Sequence, residues 1–412
     1  MVPSPIFVVF SWSECRERTI PARYMARKRV VILGCTGSIG TSAIKVARDI
    51  ADRMEVVGLA AGRNADLLIE QAREFQPSLI SIHDPADAEK VRAHVPAGTR
   101  VVSGLEGLVE LATMPEADMV LISIVGTAGL KPALAAIEAG KDIAVASKEI
   151  LVMAGEEVME QARKKGIKVL PVDSEHNAVF QCLEGQNPEH VRRVLLTASG
   201  GPFRQTPVSE FPNLTKAQAL KHPTWEMGRK ITIDSSTLFN KGLEMIEAKW
   251  LFGIPMSKVE VVVHPQSVVH SMVEFVDHSI LAQLSKTDMC FPIQYAVTYP
   301  DRLPNRLEPV DFAKLGTLTF EAPDPVKFPA LRLAREAGEK CGTLPAVLNA
   351  ANEIAVDLFL NDRVRFPSIW GIVEETMLAH TNTTTPTLDC ILDADTWARA
   401  KAAEFAKAHL IS

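Results

Sequence analysis

The sequence has no Cys-x-x-Cys pair. Its six cysteines, Cys15, Cys35, Cys182, Cys290, Cys341 and Cys390, are widely and irregularly spaced. That excludes a zinc ribbon and points to free thiols in a reducing, cytoplasmic setting. An excess of positive charge is also lacking, since the formal net charge is −6. A phosphate backbone demands a basic face, so nucleic acid is not the expected partner, although a local basic pocket for a small phosphate remains compatible. No membrane-length apolar run is present. The stretch "PIFVVFSW" near the N-terminus is too short to span a bilayer, has no basic region before it and no clear cleavage site after it. A second methionine, Met25, opens "MARKRVVILGCTGSIG", so residues 1–24 are expected to be a disordered extension or a translation-start artefact. There is no internal repeat.

What is present is ordinary core-forming composition, with 47% hydrophobic and 6% aromatic residues over 412 positions, enough for two or three domains. From Arg29 short β-branched runs alternate with amphipathic stretches. The runs fall at 29–34, 54–62, 78–82, 117–126, 141–147 and 167–173, with helical patterns such as Ala65–Phe75 between them. Continuous apolar strands separated by helices predict a doubly wound, Rossmann-like parallel sheet. The rhythm changes near Arg192. Alternation through 259–284, with "VDHS" as a turn, predicts a second, mixed sheet in an α+β region. A Pro-rich stretch follows, and beyond Pro329 helical spacing of Ala, Leu and Glu predicts a helical bundle. The expected divisions are an extension at 1–24, a nucleotide-binding domain at 25–173, a catalytic and dimerisation domain at 174–299, a linker at 300–328 and a C-terminal helical domain at 329–412.

The first run ends in Gly34-x-x-Gly37-x-x-Gly40 and leads into a helix. Glycines let the backbone approach a pyrophosphate, and the helix start offers free N–H groups to it. At the end of the second run a carboxylate would hold a ribose hydroxyl. This chain has Gly62-Arg63-Asn64 instead, and arginine suits a 2′-phosphate, so NADP is favoured over NAD.

"PVDSEHNAVF" (171–180) brings Asp173 and Glu175 to the carboxyl end of a strand. Two hard carboxylates suit Mg²⁺ or Mn²⁺. His176 could add a third ligand, but a lone histidine is more often packed behind the site. On "DSSTLFNKGLEMIEAKW" (234–250), Asp234 or Ser235 reads as an N-cap, and Asn240, Lys241 and Glu244 share one helix face. Lysine, amide and hydroxyl there make a phosphate seat, with Glu244 completing the metal site. An ordinary capped amphipathic helix would show the same pattern. Ser199 in "TASGGPF" is available to a phosphate. His222 and Trp225 in "HPTWEMGRK" lie on an expected lid loop. Lys148, in "SKE", ends a strand facing the crevice, where it can polarise a carbonyl or hold a negatively charged oxygen.

Taken together, "GCTGSIG", "SKE", "DSEHNA", "SGGPF", "HPTWEMGRK", "DSSTLFNKGLE" and "HPQSVVHSMV" resemble, in order and over nearly the whole chain from Lys28, the 1-deoxy-D-xylulose 5-phosphate reductoisomerase family. The resemblance implies conversion of 1-deoxy-D-xylulose 5-phosphate to 2-C-methyl-D-erythritol 4-phosphate with NADPH and a divalent metal, in isoprenoid precursor synthesis, by a homodimer. It implies metal ligation by Asp173, Glu175 and Glu244. Lys148 and Ser174 would contact substrate, with Glu175 and Glu244 close to it and Trp225 closing over it. Ser199, Ser235, Asn240 and Lys241 would hold the phosphate, with His222, another substrate-binding residue, on the mobile loop. Thr36, Gly37, Ser38, Ile39, Gly62, Arg63, Asn64, Ser147, Glu149 and Gly228 would face the cofactor. The sequence departs from the family at Ser147, usually asparagine, and at Ala198, commonly glycine. Both departures leave the expected metal ligands untouched.

Other readings fit less of the sequence. A semialdehyde-type dehydrogenase needs a nucleophilic cysteine, and Cys182 lies inside an expected helix. A short-chain reductase needs Tyr-x-x-x-Lys, and Tyr24 with Lys28 precedes the first strand. An NADP-sensing protein would have no use for three carboxylates together. The strand-like "HPQSVVHSMVEF" is expected to form the dimer seam.

Overall fold

The structure is a computed structural model that describes residues 27–225 and 227–411. The expectations about residues 1–24 and Tyr24 lie outside the described residues.

The first region alternates strictly: β1 (Lys28–Leu33), α1 (Ser38–Asp49), β2 (Met54–Ala61), α2 (Ala65–Phe75), β3 (Leu79–Ile82), α3 (Pro85–Arg92), β4 (Arg100–Ser103), α4 (Gly104–Ala112), β5 (Met119–Ile122), α5 (Leu130–Glu138), β6 (Asp142–Val145), α6 (Lys148–Lys165) and β7 (Val169–Pro171). The strands form one parallel sheet in the order β4-β3-β2-β1-β5-β6-β7. Successive residues of β1 serve opposite faces. Val30 and Ile32 enter the core under α1 and α2, while Val31 and Leu33 enter the one under α4, α5 and α6. Burial on both faces is why the strands read as unbroken apolar runs. Strand β4 is an exception to the sequence reading. "RVVS" is four residues long and opens on an exposed arginine, so it carries too little apolar signal to stand out.

Strand order reverses at β1, between β2 and β5, and the glycine turn leaves β1 at that point. In such sheets ligands bind in the crevice beyond the strand ends. Gly34 has φ +96°, and a Cβ there would meet Ser123 O at 2.7 Å. A Cβ on Gly40 would meet Gly34 O at 2.1 Å, so both positions require glycine for turn and helix to pack this closely.

The second region contains α7 (Ser174–Leu183), β8 (Val191–Ala198), α8 (Lys216–Ala219), α9 (Arg229–Thr237), α10 (Phe239–Phe252), β9 (Val259–Val263), β10 (Val269–Phe275), β11 (Ile280–Leu284), α11 (Cys290–Thr298) and α12 (Phe312–Leu315). Its mixed sheet has the order β11-β10-β8-β9, with β8 and β9 parallel and β10 antiparallel to both its neighbours. Strand β10 is therefore internal, and the exposed edge belongs to β11, where Ile280 and Leu281 reach solvent. Residues 300–329 run along this sheet, with a bridge from Val263 to Glu321 and a 2.8 Å bond from Gln266 to Thr319.

The last helices are α13 (Ala330–Lys340), α14 (Leu344–Leu360), α15 (Ser368–Ala379) and α16 (Leu388–Phe405). They share one core with α10 and the mixed sheet, so the helix carrying Asn240, Lys241 and Glu244 is packed from behind by the C-terminal bundle. Each fully buried aliphatic side chain there contributes roughly 1.5–3 kcal/mol. The five cysteines among the described residues are unpaired. No helix of the described residues is long and apolar enough to cross a membrane.

Candidate active site

Three helix starts converge below the crevice. Strand β6 leads through Ala146 to Ser147, the residue before α6, which delivers Lys148 and Glu149. Strand β7 leads through Val172 to Asp173, which caps α7 by accepting from Glu175 N at 3.1 Å, so the polar run "DSEH" both caps a helix and lines the site. Helix α10 supplies Asn240, Lys241 and Glu244 from its first turns. Asp234 and Ser235 are not its cap. They lie inside α9, and the chain turns into α10 through Leu238 at φ +62°. A polar cluster beside a helix mimics a cap in sequence. Here Asp234 faces inward instead, accepting from Asn352 at 2.8 Å and from Lys230 Nζ at the same distance, while Ser235 faces the cavity.

Oxygens of Asp173, Glu175 and Glu244 all lie within 4.8 Å of one another. Lys148 Nζ stands among them, 2.7 Å from Asp173 Oδ2, 2.7 Å from Asn240 Oδ1 and 2.9 Å from Glu244 Oε1. Lys241 contacts Glu244 Oε2 and lies 3.6 Å from Glu175 Oε2. Three carboxylates and two ammonium groups leave one negative charge in excess. Burial pushes the Asp173 carboxyl upward, but Lys148 and His176 outweigh it and hold it well below the usual range. Burial together with Asp173 raises Glu244, against the pull of Lys148 and Lys241. Burial lowers Lys148, yet Asp173 and Glu244 carry it well above its ordinary value. A converging set of hard oxygen donors with negative charge left over fits Mg²⁺ or Mn²⁺.

Behind this set lies a group the sequence reading did not include. Glu247 is fully buried one turn beyond Glu244, with Oε2 3.2 Å from His176 Nδ1. Burial lowers His176, but Glu247 and Asp173 lift it to about 9. Burial lifts Glu247 to about 7 against His176. The i, i+3 spacing of Glu244 and Glu247 was the available signal.

At the other end, His222 Nε2 lies 3.1 Å from Ser199 Oγ and 3.0 Å from Ser235 Oγ. Its Nδ1 accepts from Thr224 N and Trp225 N at 3.2 and 2.9 Å, so the ring proton sits on Nε2. Burial lowers His222 to about 4, with Glu175 opposing, so the ring is neutral at pH 7. The result is a set of neutral donors, with Ser199 after β8, Ser235 on α9 and His222 on a loop whose residues Trp225, Met227 and Gly228 line the cavity. Asn240 and Lys241 also line it, but they bond to Glu244 and not to this group.

One cavity of about 460 Å³ joins these parts. Gly37, Ser38, Ile39, Ser147, Lys148, Glu149, Asp173, Ser174, Glu175, Ser199, His222, Trp225, Gly228, Ser235, Asn240, Lys241 and Glu244 line it. Thr36, Gly62, Arg63 and Asn64 do not. Asn64 caps α2, accepting from Leu67 N at 3.1 Å, and Arg63 is exposed at the end of β2. Ser147 is buried and donates to Ile124 O, so it is bonded to the backbone leaving β5. Ala198 ends β8 in extended backbone that alanine accepts without strain. Met227, Lys230 and Ser123 also line the cavity. His270, buried on β10, stands 3.9 Å from Glu175 Oε1. A histidine inside a buried strand was the signal for it.

A phosphate-binding glycine turn at a strand-order switch, opening on the same cavity as a carboxylate centre, defines a dinucleotide-dependent oxidoreductase that works with a divalent cation. Residues 30–155 match the family model for 1-deoxy-D-xylulose 5-phosphate reductoisomerase, and 169–252 and 284–401 match models of its C-terminal domains. The chain is 53% identical over 383 residues to the 1-deoxy-D-xylulose 5-phosphate reductoisomerase of Symbiobacterium thermophilum, covering 92% of this chain and 98% of the relative. It is 52% identical to that of Chlorobaculum tepidum, covering 91% and 98%. Among solved structures, the Zymomonas mobilis reductoisomerase in complex with NADPH superposes with a TM-score of 0.88 at 44% identity, covering 93% of this chain and all of that one. A reductoisomerase complex with NADPH, fosmidomycin and magnesium gives 0.86 at 39% identity, covering 92% and 98%. The chain belongs to the 1-deoxy-D-xylulose 5-phosphate reductoisomerase family.

Proposed function

We infer that this protein rearranges and reduces 1-deoxy-D-xylulose 5-phosphate to 2-C-methyl-D-erythritol 4-phosphate, using NADPH and a divalent cation, in the non-mevalonate route to isoprenoid precursors. The carboxylate centre opening on the nucleotide crevice is the observation that carries this reading beyond family membership. Asp173, Glu175 and Glu244 would hold Mg²⁺ or Mn²⁺, which when bound supplies Lewis-acid polarisation of substrate oxygens. NADPH supplies the hydride.

The chain's own groups do the rest. Lys148, already in contact with Asp173 and Glu244, is placed to hold a negatively charged substrate oxygen. Ser174 and Asn240 present polar groups to the same space. Ser199, Ser235 and neutral His222 offer donors to the phosphate, with Lys241 adding charge nearby. Trp225 closes the loop over the substrate, excluding water and using phosphate binding for orientation. Gly37, Ser38, Ile39, Ser147, Glu149 and Gly228 border the cofactor channel. Thr36, Gly62, Arg63 and Asn64 would meet the adenosine end outside it, Arg63 taking the 2′-phosphate.

The molecule is read as a cytoplasmic homodimer. The exposed apolar edge of β11, with Ile280 and Leu281, supports pairing with a second copy. Incubation of purified protein with substrate, NADPH and Mg²⁺, followed by NMR identification of the product, tests the function. 2-C-methyl-D-erythritol 4-phosphate is expected. Consumption of NADPH with a different product, or none, would contradict it.

A further inference from the structure

Glu247 is among the least accessible carboxylates of the molecule, and nothing in the proposed chemistry reaches it. It is fully buried on α10, on the side of Glu244 away from the cavity, and does not line the cavity. Neither of its oxygens has a well-aligned hydrogen-bond partner. A carboxylate left this way is costly unless it is held by charge. Its nearest polar partner is His176. Glu247 Oε2 stands 3.2 Å from His176 Nδ1, in ion-pair contact though off hydrogen-bond alignment.

His176 is equally enclosed, and its ring is tied on both sides to expected ligands. Nε2 lies 2.9 Å from the backbone O of Glu244, so Nε2 carries a proton. Nδ1 lies 3.6 Å from Asp173 Oδ1 as well as 3.2 Å from Glu247. The Nδ1 edge of the ring thus faces two carboxylates. The ring touches one oxygen of Asp173 and the backbone of Glu244 at once, and Glu247 braces the ring from behind. Carboxylate–histidine pairs of this kind orient ligands from behind in metal centres.

We propose that Glu247 is a positioning residue for the reaction, acting through His176 to hold Asp173 and the Glu244 turn in the geometry that receives the divalent cation. The inference rests on the assignment of Asp173, Glu175 and Glu244 as the ligands.

The test is Mn²⁺ binding to purified protein, read from the EPR signal of free Mn²⁺, alongside NADPH binding by fluorescence and thermal unfolding without metal. Wild type should bind one Mn²⁺ per chain. Glu247→Gln, which keeps the shape and removes the charge, should bind it ~10–100-fold more weakly. Its NADPH affinity and metal-free unfolding temperature should stay close to wild type. Activity should return at saturating Mn²⁺, so the loss appears in the metal requirement and not in kcat. Glu247→Asp should recover part of the affinity. His176→Asn should reproduce the loss and serves in place of Glu247→Gln if that variant does not fold. The double variant should be no weaker than either single one, as expected of residues acting in series.

Unchanged Mn²⁺ affinity in Glu247→Gln would overturn the proposal. So would a matching fall in NADPH affinity and metal-free stability, which would make Glu247 a packing residue. Two Mn²⁺ per chain in wild type, falling to one in Glu247→Gln, would overturn it as well, since Asp173, His176 and Glu247 would then form a second cation seat. Asp173→Asn separates the levels. If it binds Mn²⁺ like wild type, the ligand assignment falls and the inference with it. If it loses Mn²⁺ while Glu247→Gln does not, the inference alone falls.

Discussion

The two ends of the cavity are built on opposite principles. The carboxylate end is made from three helix starts, is nearly closed to solvent, and matches charge against charge within about 3 Å. The phosphate end is made from a loop and two strand or helix residues. Its histidine is held neutral and its partners are hydroxyls and backbone amides. Burying charges is expensive unless geometry is fixed in advance, so a cation seat belongs on rigid elements. A group that must admit and release a phosphate sugar cannot be that rigid, and a loop with neutral donors can open at small cost.

The sharpest break of this comparison is at Glu244. Glu244→Gln should abolish turnover and weaken metal binding by more than the ~10–100-fold typical of supporting residues. NADPH affinity should be nearly intact, as measured by fluorescence titration. Equal activity would remove Glu244 from the site.

Next in size is Lys148→Met. Taking the ammonium away leaves Asp173 and Glu244 facing each other in a closed space, a change that costs about 3–5 kcal/mol when a buried pair is broken. Calorimetry without metal should show the loss. Mn²⁺ should raise the melting temperature of this variant by more than it raises that of wild type, because the cation replaces the missing charge.

The phosphate end should respond more gently. Ser199→Ala should raise KM for the phosphate sugar by ~2–10-fold, the worth of one hydrogen bond, with kcat little changed. Initial-rate kinetics at fixed NADPH checks it.

His222 gives the pH dependence. Its folded value, about 4, lies below the ordinary 6.5. Between those values the unfolded chain binds more protons, so this residue's contribution to stability is lost as pH falls from about 6.5 toward 4. Unfolding scans should show a smaller decline over that window for His222→Gln than for wild type. Ser147→Ala should be the smallest effect, about 1 kcal/mol from its bond to the Ile124 carbonyl, with NADPH affinity little moved.

Much of this was legible in the sequence because it rests on local pattern. Apolar runs between helices gave the parallel sheet, and the glycine spacing after β1 marked the nucleotide turn. Helix spacing puts Asn240, Lys241 and Glu244 on one face, but an ordinary amphipathic helix would show the same, and it was the resemblance that marked them as site residues. Strand β4 was not legible, because an edge strand needs few apolar residues. The partnership of Lys148 with both Asp173 and Glu244 was not legible either, since it joins positions 25 and 96 apart in the chain. Asp234 misled for the same reason. Its partner Asn352 lies 118 positions away on α14, and a carboxylate that accepts an inward hydrogen bond looked like a cap. Glu247 was visible as a neighbour of Glu244, but its pairing with His176 joins α10 to α7 across the fold.

The most direct test of the account follows NADPH absorbance with purified protein and 1-deoxy-D-xylulose 5-phosphate, first with Mn²⁺ and then with excess chelator. Oxidation is expected to require the metal, to stop with chelator and to resume when Mn²⁺ is restored. Oxidation that continues unchanged in chelator, or none with Mn²⁺ in protein shown to bind NADPH, would contradict a carboxylate centre built to hold a catalytic cation.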